Sequence, residues 1–366
     1  MFEGIIGNDH IKGYLQNMVA SGSVGNSLLF SGVDGIGKTL FAEGLAKLLL
    51  SEGNPSSPHI HKIKSGNHPD IKHYRPEGKT GMHTIESMRQ FNAEVYLRPN
   101  EAKWKVFIIH DAERMLPTSA NALLKTFEEP SPDTIIILMT SAKESLLPTI
   151  LSRCRTLHFH HVDTREIACL LIEKFHCQAD EARLYAELSH GSVGRAIQLN
   201  HDSGDPVRDQ ILNFIVKGKV KTYFELTDFV KTICAKVDTS KKEVEEQIRE
   251  ELSKGVSEKD MTAAQLQVLK KEVEGAVALR LAHEASNFFN VILSWFRDLH
   301  LLYLGGDSRL LINKDYVPEI QKKVIEAEPI PVETVEKVIA DARLSLRRST
   351  SLAICLENLF LKLNFL

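Results

Sequence analysis

The octapeptide G-V-D-G-I-G-K-T, Gly32 to Thr39, decides the fold class of this chain. It fits the phosphate-loop pattern G-x-x-x-x-G-K-[ST], with the apolar run Leu28–Phe30 before it and an amphipathic helical pattern after it. Backbone N–H groups must curl round a phosphate here, which requires glycine where a Cβ would clash or φ is positive. We predict that Lys38 reaches the β- and γ-phosphates of a nucleotide and that Thr39 ligates Mg²⁺. The predicted binding residues of the loop are Gly32, Gly35, Gly37, Lys38 and Thr39.

Short apolar runs rich in β-branched residues alternate with helical patterns over roughly the first 160 residues. This alternation predicts an α/β domain with a five-stranded parallel sheet covered by helices. The predicted strands are Ser27–Ser31, Ile71–Arg75, Val106–His110, Ile135–Thr140 and Thr156–His160.

The strand pattern ends near His161, and the remainder of the chain has helical periodicity. We predict three domains: a nucleotide-binding domain at 1–162, a small helical lid at 163–204, and an all-α domain at 205–366. Within the last, the segment at about 239–276 is dense in charged residues and predicts a solvated helical hairpin broken near Gly255.

Composition narrows the class of protein further. The 366 residues are 43% hydrophobic, and the formal net charge is −3. This charge argues against tight DNA binding by the chain alone, because autonomous DNA-binding proteins are usually basic. Five cysteines without a C-x-x-C pair indicate reduced thiols, and no apolar run approaches the ~18 residues of a membrane span. We expect a soluble, cytoplasmic protein without membrane contact.

The residues after the strand at 106–109 bear on ATP hydrolysis. A hydrolysing phosphate-loop enzyme needs a carboxylate for Mg²⁺ and another to position water. Here His110 stands at the first position, Asp111 follows it, and Glu113 lies further round the turn. Because imidazole is a poor ligand for Mg²⁺, we predict that hydrolysis by this chain is weak or absent. Asp111 remains a candidate cofactor residue.

Two further stretches are more specific than the phosphate loop. They are N-A-L-L-K-T-F-E-E-P, Asn121–Pro130, and L-P-T-I-L-S-R-C, Leu147–Cys154, and with them the chain resembles bacterial clamp-loader ATPases of the AAA+ class. The opening, Phe2–Ile11, is also similar to this family, and W-F-R-D-L, Trp295–Leu299, looks like its collar domain. The resemblance implies an AAA+ domain, a helical lid and a C-terminal helical collar that joins a ring of subunits.

Two types of subunit share this pattern: the ATP-hydrolysing tau/gamma motor and the delta-prime type. At three places the chain resembles the delta-prime type more than the motor. His110 replaces an acid of the motor, and the segment N-H-P-D-I, Asn67–Ile71, looks more like delta-prime. Gly194 stands where the motor has a sensor arginine, and Arg195 would point about 100° away round a helix.

The resemblance implies roles for two more residues. Arg153 would be an arginine finger, a guanidinium that faces the γ-phosphate of ATP in the adjacent subunit and stabilises charge during phosphoryl transfer. Its alternative is an ordinary surface ion pair. Thr140 resembles the family's nucleotide sensor, and its alternative is a threonine that only ends a strand.

The family's zinc module is missing its cysteines in this chain. The corresponding region, Ser51–Gly66, has no cysteine, and the two histidines His59 and His61 do not make a four-ligand site. His68 and His73 are too scattered in sequence to complete one. We therefore predict that the chain holds no zinc.

The leading hypothesis is a delta-prime-like binding module that uses ATP or ADP with Mg²⁺. Its expected partners are the tau/gamma and delta subunits, with the sliding clamp and primed DNA reached through the complex. The alternative is the hydrolysing tau/gamma motor itself, which the intact loop favours. A third possibility is another AAA+ branch, such as a helicase loader or branch-migration motor, which the two specific stretches oppose.

Overall fold

The computed structural model describes residues 1–22, 24–253, 262–347 and 350–365. The chain forms two compact units, Met1–Gly204 and Asp205–Leu366. None of the described helices is both long and apolar enough to cross a bilayer.

The first unit is built on a five-stranded sheet in the order β2-β3-β4-β1-β5, and every pairing is parallel. The fold class predicted from the sequence is therefore confirmed, and each strand begins and ends within two residues of its prediction. The strands are β1 (Ser27–Ser31), β2 (Ile71–Tyr74), β3 (Lys105–Ile109), β4 (Thr134–Thr140) and β5 (Arg155–His158).

Helices cover both faces of this sheet, which is why β1, β3 and β4 are buried along their whole length. The helices of this part are α1 (Asp9–Ala20), α2 (Lys38–Leu50), α3 (Pro58–Lys64), α4 (Ile85–Val95), α5 (Pro117–Glu128) and α6 (Pro148–Leu151). Alternate residues of β1 point to opposite faces. Leu28 and Phe30 pack with α1 and α2, whereas Leu29 packs with α4 and α5.

Residues 163–204 add three helices, α7 (Thr164–Phe175), α8 (Ala179–Leu188) and α9 (Val193–His201). Their apolar residues belong to the same hydrophobic core as β1 and α2: Ile167, Leu171, Ala182 and Leu199 are each at most 1% exposed there. The segment is thus helical, as predicted, and shares its core with the sheet.

The second unit is all-α. It comprises α10 (Pro206–Lys217), α11 (Tyr223–Ser253), α12 (Ala263–Tyr303), α13 (Val317–Glu326), α14 (Val332–Arg347) and α15 (Leu352–Lys362). Trp295, Phe289 and Phe360 are each at most 1% exposed in its core. The described parts of the charged segment at 239–276 are helical. The break predicted near Gly255 lies outside the described residues.

The W-F-R-D-L segment has a structural explanation within this unit. Trp295 and Phe296 are buried in the core, and the carboxylate of Asp298 is fully buried. Asp298 accepts hydrogen bonds from the backbone N–H groups of Ile312 at 3.0 Å and Asn313 at 2.7 Å. A buried carboxylate is tolerated only when donors surround it, so Asp298 fixes the loop that follows α12.

Candidate functional site

The phosphate loop lies between β1 and α2, at the carboxyl end of the sheet. Gly35 and Gly37 have positive φ values of 74° and 102°, a backbone conformation that favours glycine. Gly37 is the residue directly before α2, so the N-terminal N–H groups of that helix face the loop. The local backbone therefore has the form that the motif requires.

The two side chains with assigned phosphate and magnesium roles lie close to the loop and to β4. Lys38 Nζ donates to the carbonyl oxygens of Gly32 at 2.5 Å and Val33 at 3.1 Å. Thr39 Oγ1 lies 3.9 Å from the sulfur of Met139, near the end of β4. The ammonium of Lys38 is thus directed back over the loop, where a bound phosphate chain would meet it.

His110, directly after β3, is a buried and neutral imidazole. Burial lowers its pKa well below the usual value, and the nearby charges of Arg75, His73 and His83 lower it further. Its Nε2 lies 3.0 Å from Nδ1 of His73, within hydrogen-bond distance. A neutral ring stands where a hydrolysing enzyme would hold Mg²⁺ through a carboxylate.

Asp111, the next residue, brings a carboxylate to the phosphate loop. Its backbone is left-handed, with φ of 47°, and it precedes the short 3₁₀ turn Ala112–Arg114. A carboxylate oxygen of Asp111 lies within 4.8 Å of one of Asp34. The fold thus brings together the loop and Asp111, two of the predicted cofactor elements, and adds Asp34, which the motif alone does not single out.

Thr140 and Glu113 meet where β3 and β4 end. Thr140 is 1% exposed, and its Oγ1 accepts a hydrogen bond from the N–H of Ala142 at 3.1 Å. Glu113 accepts two hydrogen bonds from Ser141, at 2.7 Å from the hydroxyl and 3.2 Å from the N–H. These contacts tie the turn after β3 to the end of β4. The role of Ser141 could not be read from the sequence, because no motif marks it.

The start of α9 packs directly on the phosphate loop. The N–H of Gly194 donates to the carbonyl oxygen of Gly35 at 2.8 Å, and the hydroxyl of Ser192 donates to the carbonyl oxygen of Asp34 at 2.7 Å. A Cβ on Gly194 would lie 3.0 Å from Cα of Gly35. An arginine at position 194 therefore requires a shift of the backbone, and the two glycines are the sequence signal for this close approach.

Arg153 lies at the other end of the sheet. It precedes β5, and Arg155 at the start of β5 pairs with Leu28 near the start of β1. Because the strands are parallel, Arg153 is at the amino end of the sheet and the phosphate loop at the carboxyl end. The Arg153 guanidinium donates to Glu128 through Nε at 2.6 Å and also through NH2, and NH1 donates to the carbonyl oxygen of Thr149 at 2.8 Å. The arginine is therefore too far along the strands to serve its own loop.

Residues 7–163 match a family model described as DNA polymerase III, delta subunit. Over these residues the chain is similar to the DNA polymerase III subunits that this model describes.

Known proteins similar to this chain come from several bacteria. DNA polymerase III subunit delta′ of Bacillus subtilis is 33% identical over 194 residues, which are 51% of this chain and 57% of that protein. DNA polymerase III subunit tau of Escherichia coli is 32% identical over 219 residues, 56% of this chain and 33% of that protein. The chain thus spans only part of the length of these relatives. A solved gamma subunit-related protein of Thermotoga maritima is 18% identical, with a TM-score of 0.42, over 96% of this chain and 98% of that one.

The region without cysteines, Ser51–Gly66, lies beside a cluster of two histidines and an acid. The fold brings His68 to His59, with Nε2 and Nδ1 2.8 Å apart, and Glu101 offers an oxygen within 4.8 Å. The N–H of Asp70 donates to Nδ1 of His68 at 3.1 Å, so neutral His68 carries its proton on Nε2. A metal at Nε2 would require that proton to move to Nδ1, against the Asp70 N–H. The cluster therefore fits a hydrogen-bonded pair of histidines better than a metal site.

Proposed function

We propose that the chain is a delta-prime-type subunit of the DNA polymerase III clamp loader in the cytoplasm. In this role it joins tau/gamma and delta subunits in a ring that places the sliding clamp on primed DNA. Arg153 is its arginine finger, donated to the ATP of a neighbouring tau/gamma subunit. The observation that carries the proposal is the position of Arg153 at the end of the sheet opposite its own phosphate loop.

The proposal extends to the chain's own nucleotide site. Gly32, Gly35, Gly37, Lys38 and Thr39, with Asp111 and Thr140 beside them, bind ATP or ADP with Mg²⁺. Hydrolysis there is weak or absent. The neutral His110 after β3 supports this, because it supplies no negative charge for the metal. The glycine at position 194 supports it too, since it supplies no cation there and a side chain in its place would have to displace the backbone of Gly35.

The proposal also gives each domain a role. Residues 1–162 are the nucleotide-binding domain, 163–204 the lid, and 205–366 the collar that holds the ring together. The apolar core of the second unit gives the collar its own stability, since it is independent of the sheet core.

A second candidate function is the hydrolysing tau/gamma motor. The close pair of carboxylates on Asp34 and Asp111 favours it, because a Mg²⁺ ion accepts carboxylate oxygens as ligands. Steady-state turnover by the purified chain above ~0.1 s⁻¹ without partners would support the motor, since typical enzymes turn over at about 1–10³ s⁻¹.

The deciding experiment is Arg153→Ala in a reconstituted clamp loader. We expect DNA-stimulated ATPase activity to fall at least ~10-fold while the complex still assembles, because arginine fingers contribute about 10³–10⁵ in rate. Arg155→Ala is the matched control: Arg155 is an exposed arginine two residues further along the chain, and its guanidinium stacks 4.6 Å from the ring centre of Tyr14. Unchanged ATPase activity in the Arg153 variant would rule out the finger.

A further inference from the structure

Glu128 makes the principal contacts of the Arg153 side chain. Its Oε1 accepts from both Nε and NH2 of the guanidinium, while NH1 donates to the carbonyl oxygen of Thr149 at 2.8 Å and to the hydroxyl oxygen of Ser152 at 3.4 Å. The Arg153 and Glu128 side chains are 30% and 46% exposed, so water reaches both of them. Exposed ion pairs contribute little to stability, so this one is poorly explained as a device for holding the fold together.

The position of Glu128 in its helix is also unfavourable for stability. Glu128 is the last residue of α5, and Glu129 follows it as the C-cap residue. The C-terminus of a helix carries partial negative charge and favours cations, so an acidic side chain there is locally unfavourable. The helix itself is well anchored, because Leu123 and Phe127 are buried under the sheet. Glu128 is thus an acid at an unfavourable position on a rigid support, aimed at one guanidinium.

The geometry of the guanidinium decides what this contact leaves for a partner. The group is planar and carries five N–H donors in a fixed arrangement. Glu128 occupies the edge formed by Nε and NH2, and NH1 donates to the carbonyl oxygen of Thr149 at 2.8 Å and, over the longer distance of 3.4 Å, to the hydroxyl of Ser152. A phosphate that replaces the long contact to the exposed Ser152 hydroxyl can accept two parallel hydrogen bonds from the edge formed by NH1 and NH2 at the tip. Glu128 therefore holds the arginine by its side and leaves its tip for a triphosphate.

We propose that Glu128 is a positioning residue that presents Arg153 to the ATP of the adjacent subunit. An exposed arginine otherwise samples many rotamers, and fixing it in advance removes an ordering cost from the transition state. Glu128 touches no substrate and acts only through Arg153. This inference rests on the proposed function, because it assumes that Arg153 acts in trans.

The test uses the reconstituted loader with five variants of this subunit: Glu128→Ala, Glu128→Gln, Arg153→Ala, the double variant Glu128→Ala with Arg153→Ala, and Glu129→Ala as the matched control. DNA-stimulated ATPase activity is resolved into kcat and KM for ATP. We expect Glu128→Ala to lower kcat about 3- to 10-fold with KM within about twofold, since positioning in the transition state acts on kcat. Glu128→Gln keeps an oxygen for both donors and should retain more than about half of the activity.

The double variant shows whether Glu128 acts through the arginine. We expect it to match Arg153→Ala alone, because residues that act as a unit are not additive. The inference is overturned if Glu128→Ala lowers kcat by the same factor in the Arg153→Ala background as it does in the wild type. An unchanged or raised kcat in Glu128→Ala while Arg153→Ala lowers it also overturns the inference, and in that case the finger itself stands. If Arg153→Ala has no effect, the proposed function falls instead.

A purely structural role is separated by assembly and thermal unfolding, which should be unchanged in Glu128→Ala. If that variant does not assemble, Glu128→Asp decides. It keeps the charge but withdraws the oxygens by one carbon, so kcat should still fall at least about twofold. Full activity in Glu128→Asp within an intact loader contradicts the inference.

Discussion

The two ends of the parallel sheet carry different chemistry. At the carboxyl end, Gly35 and Gly37 of the phosphate loop have left-handed conformations, but the residue after β3 is the neutral, buried His110. At the amino end, the cation Arg153 is partly exposed and paired with Glu128. One end thus keeps a binding backbone without the usual acid, and the other keeps a charged group ready to contact another molecule.

This difference shows that binding and hydrolysis depend on separate parts of a phosphate-loop domain. Backbone N–H groups and a helix N-terminus bind phosphate as long as the glycines remain. Hydrolysis needs carboxylates, and the residues that follow β3 must supply them. A chain can therefore lose the capacity for hydrolysis and keep phosphate binding, and the arginine finger proposed above depends on neither.

The largest effect is expected at the carboxyl end, where acid should lower the free energy of unfolding through the buried His83. Burial lowers the pKa of His83 from 6.5 to about 4, although its hydrogen bond to the carbonyl oxygen of His110 partly offsets this. Between these values the unfolded chain binds more protons than the folded one. The contribution of neutral His83 to the free energy of unfolding is therefore complete above pH 6.5. It falls as the pH drops from 6.5 to about 4, by about 3 kcal/mol in all.

Urea unfolding of the wild type and of His83→Gln between pH 7 and pH 4.5 checks this. Glutamine can donate to the His110 carbonyl oxygen but does not titrate, so the variant should lose about 2 to 3 kcal/mol less than the wild type over this range. His201→Gln is the control, because the His201 side chain is 84% exposed. Equal pH dependence in His83→Gln and the wild type would contradict the assignment.

A smaller effect is expected where α9 meets the phosphate loop. A Cβ at Gly194 would lie 3.0 Å from Cα of Gly35, whereas a Cβ at Gly13 in α1 has no atom within 4 Å. Gly13→Ala should stabilise the protein by about 0.5–1 kcal/mol through helix propensity. Gly194→Ala should instead destabilise it by about 1–3 kcal/mol, the usual cost of overpacking. Thermal unfolding of both variants measures the contrast, and stabilisation by Gly194→Ala would show that the contact is not tight.

Much of the fold could be predicted from local sequence, whereas contacts between residues that are distant in sequence could not. The strands were predictable because β1 and β4 are continuous apolar runs, which a sheet covered on both faces requires. The glycines of the loop were predictable from the motif. The pairing of Arg153 with Glu128, 25 residues earlier, was not, because it depends on how α5 and α6 pack. The meeting of His59 with His68 was missed for the same reason, since sequence distance concealed a short spatial one.

The smallest effect is expected from returning a single acid to the carboxyl end, in His110→Asp. An aspartate there could hold Mg²⁺, but Asp111 remains shorter than the glutamate that usually orients water, and Gly194 still supplies no cation. We therefore expect ATP hydrolysis by the isolated chain to rise less than ~10-fold, a change of under ~1.4 kcal/mol in the barrier. His110→Gln, neutral and without a carboxylate, is the control. A larger rise in His110→Asp but not in His110→Gln would mean that one missing carboxylate is enough to separate this chain from a hydrolysing motor. The carboxyl end of the sheet would then be a hydrolytic site that lacks a single residue.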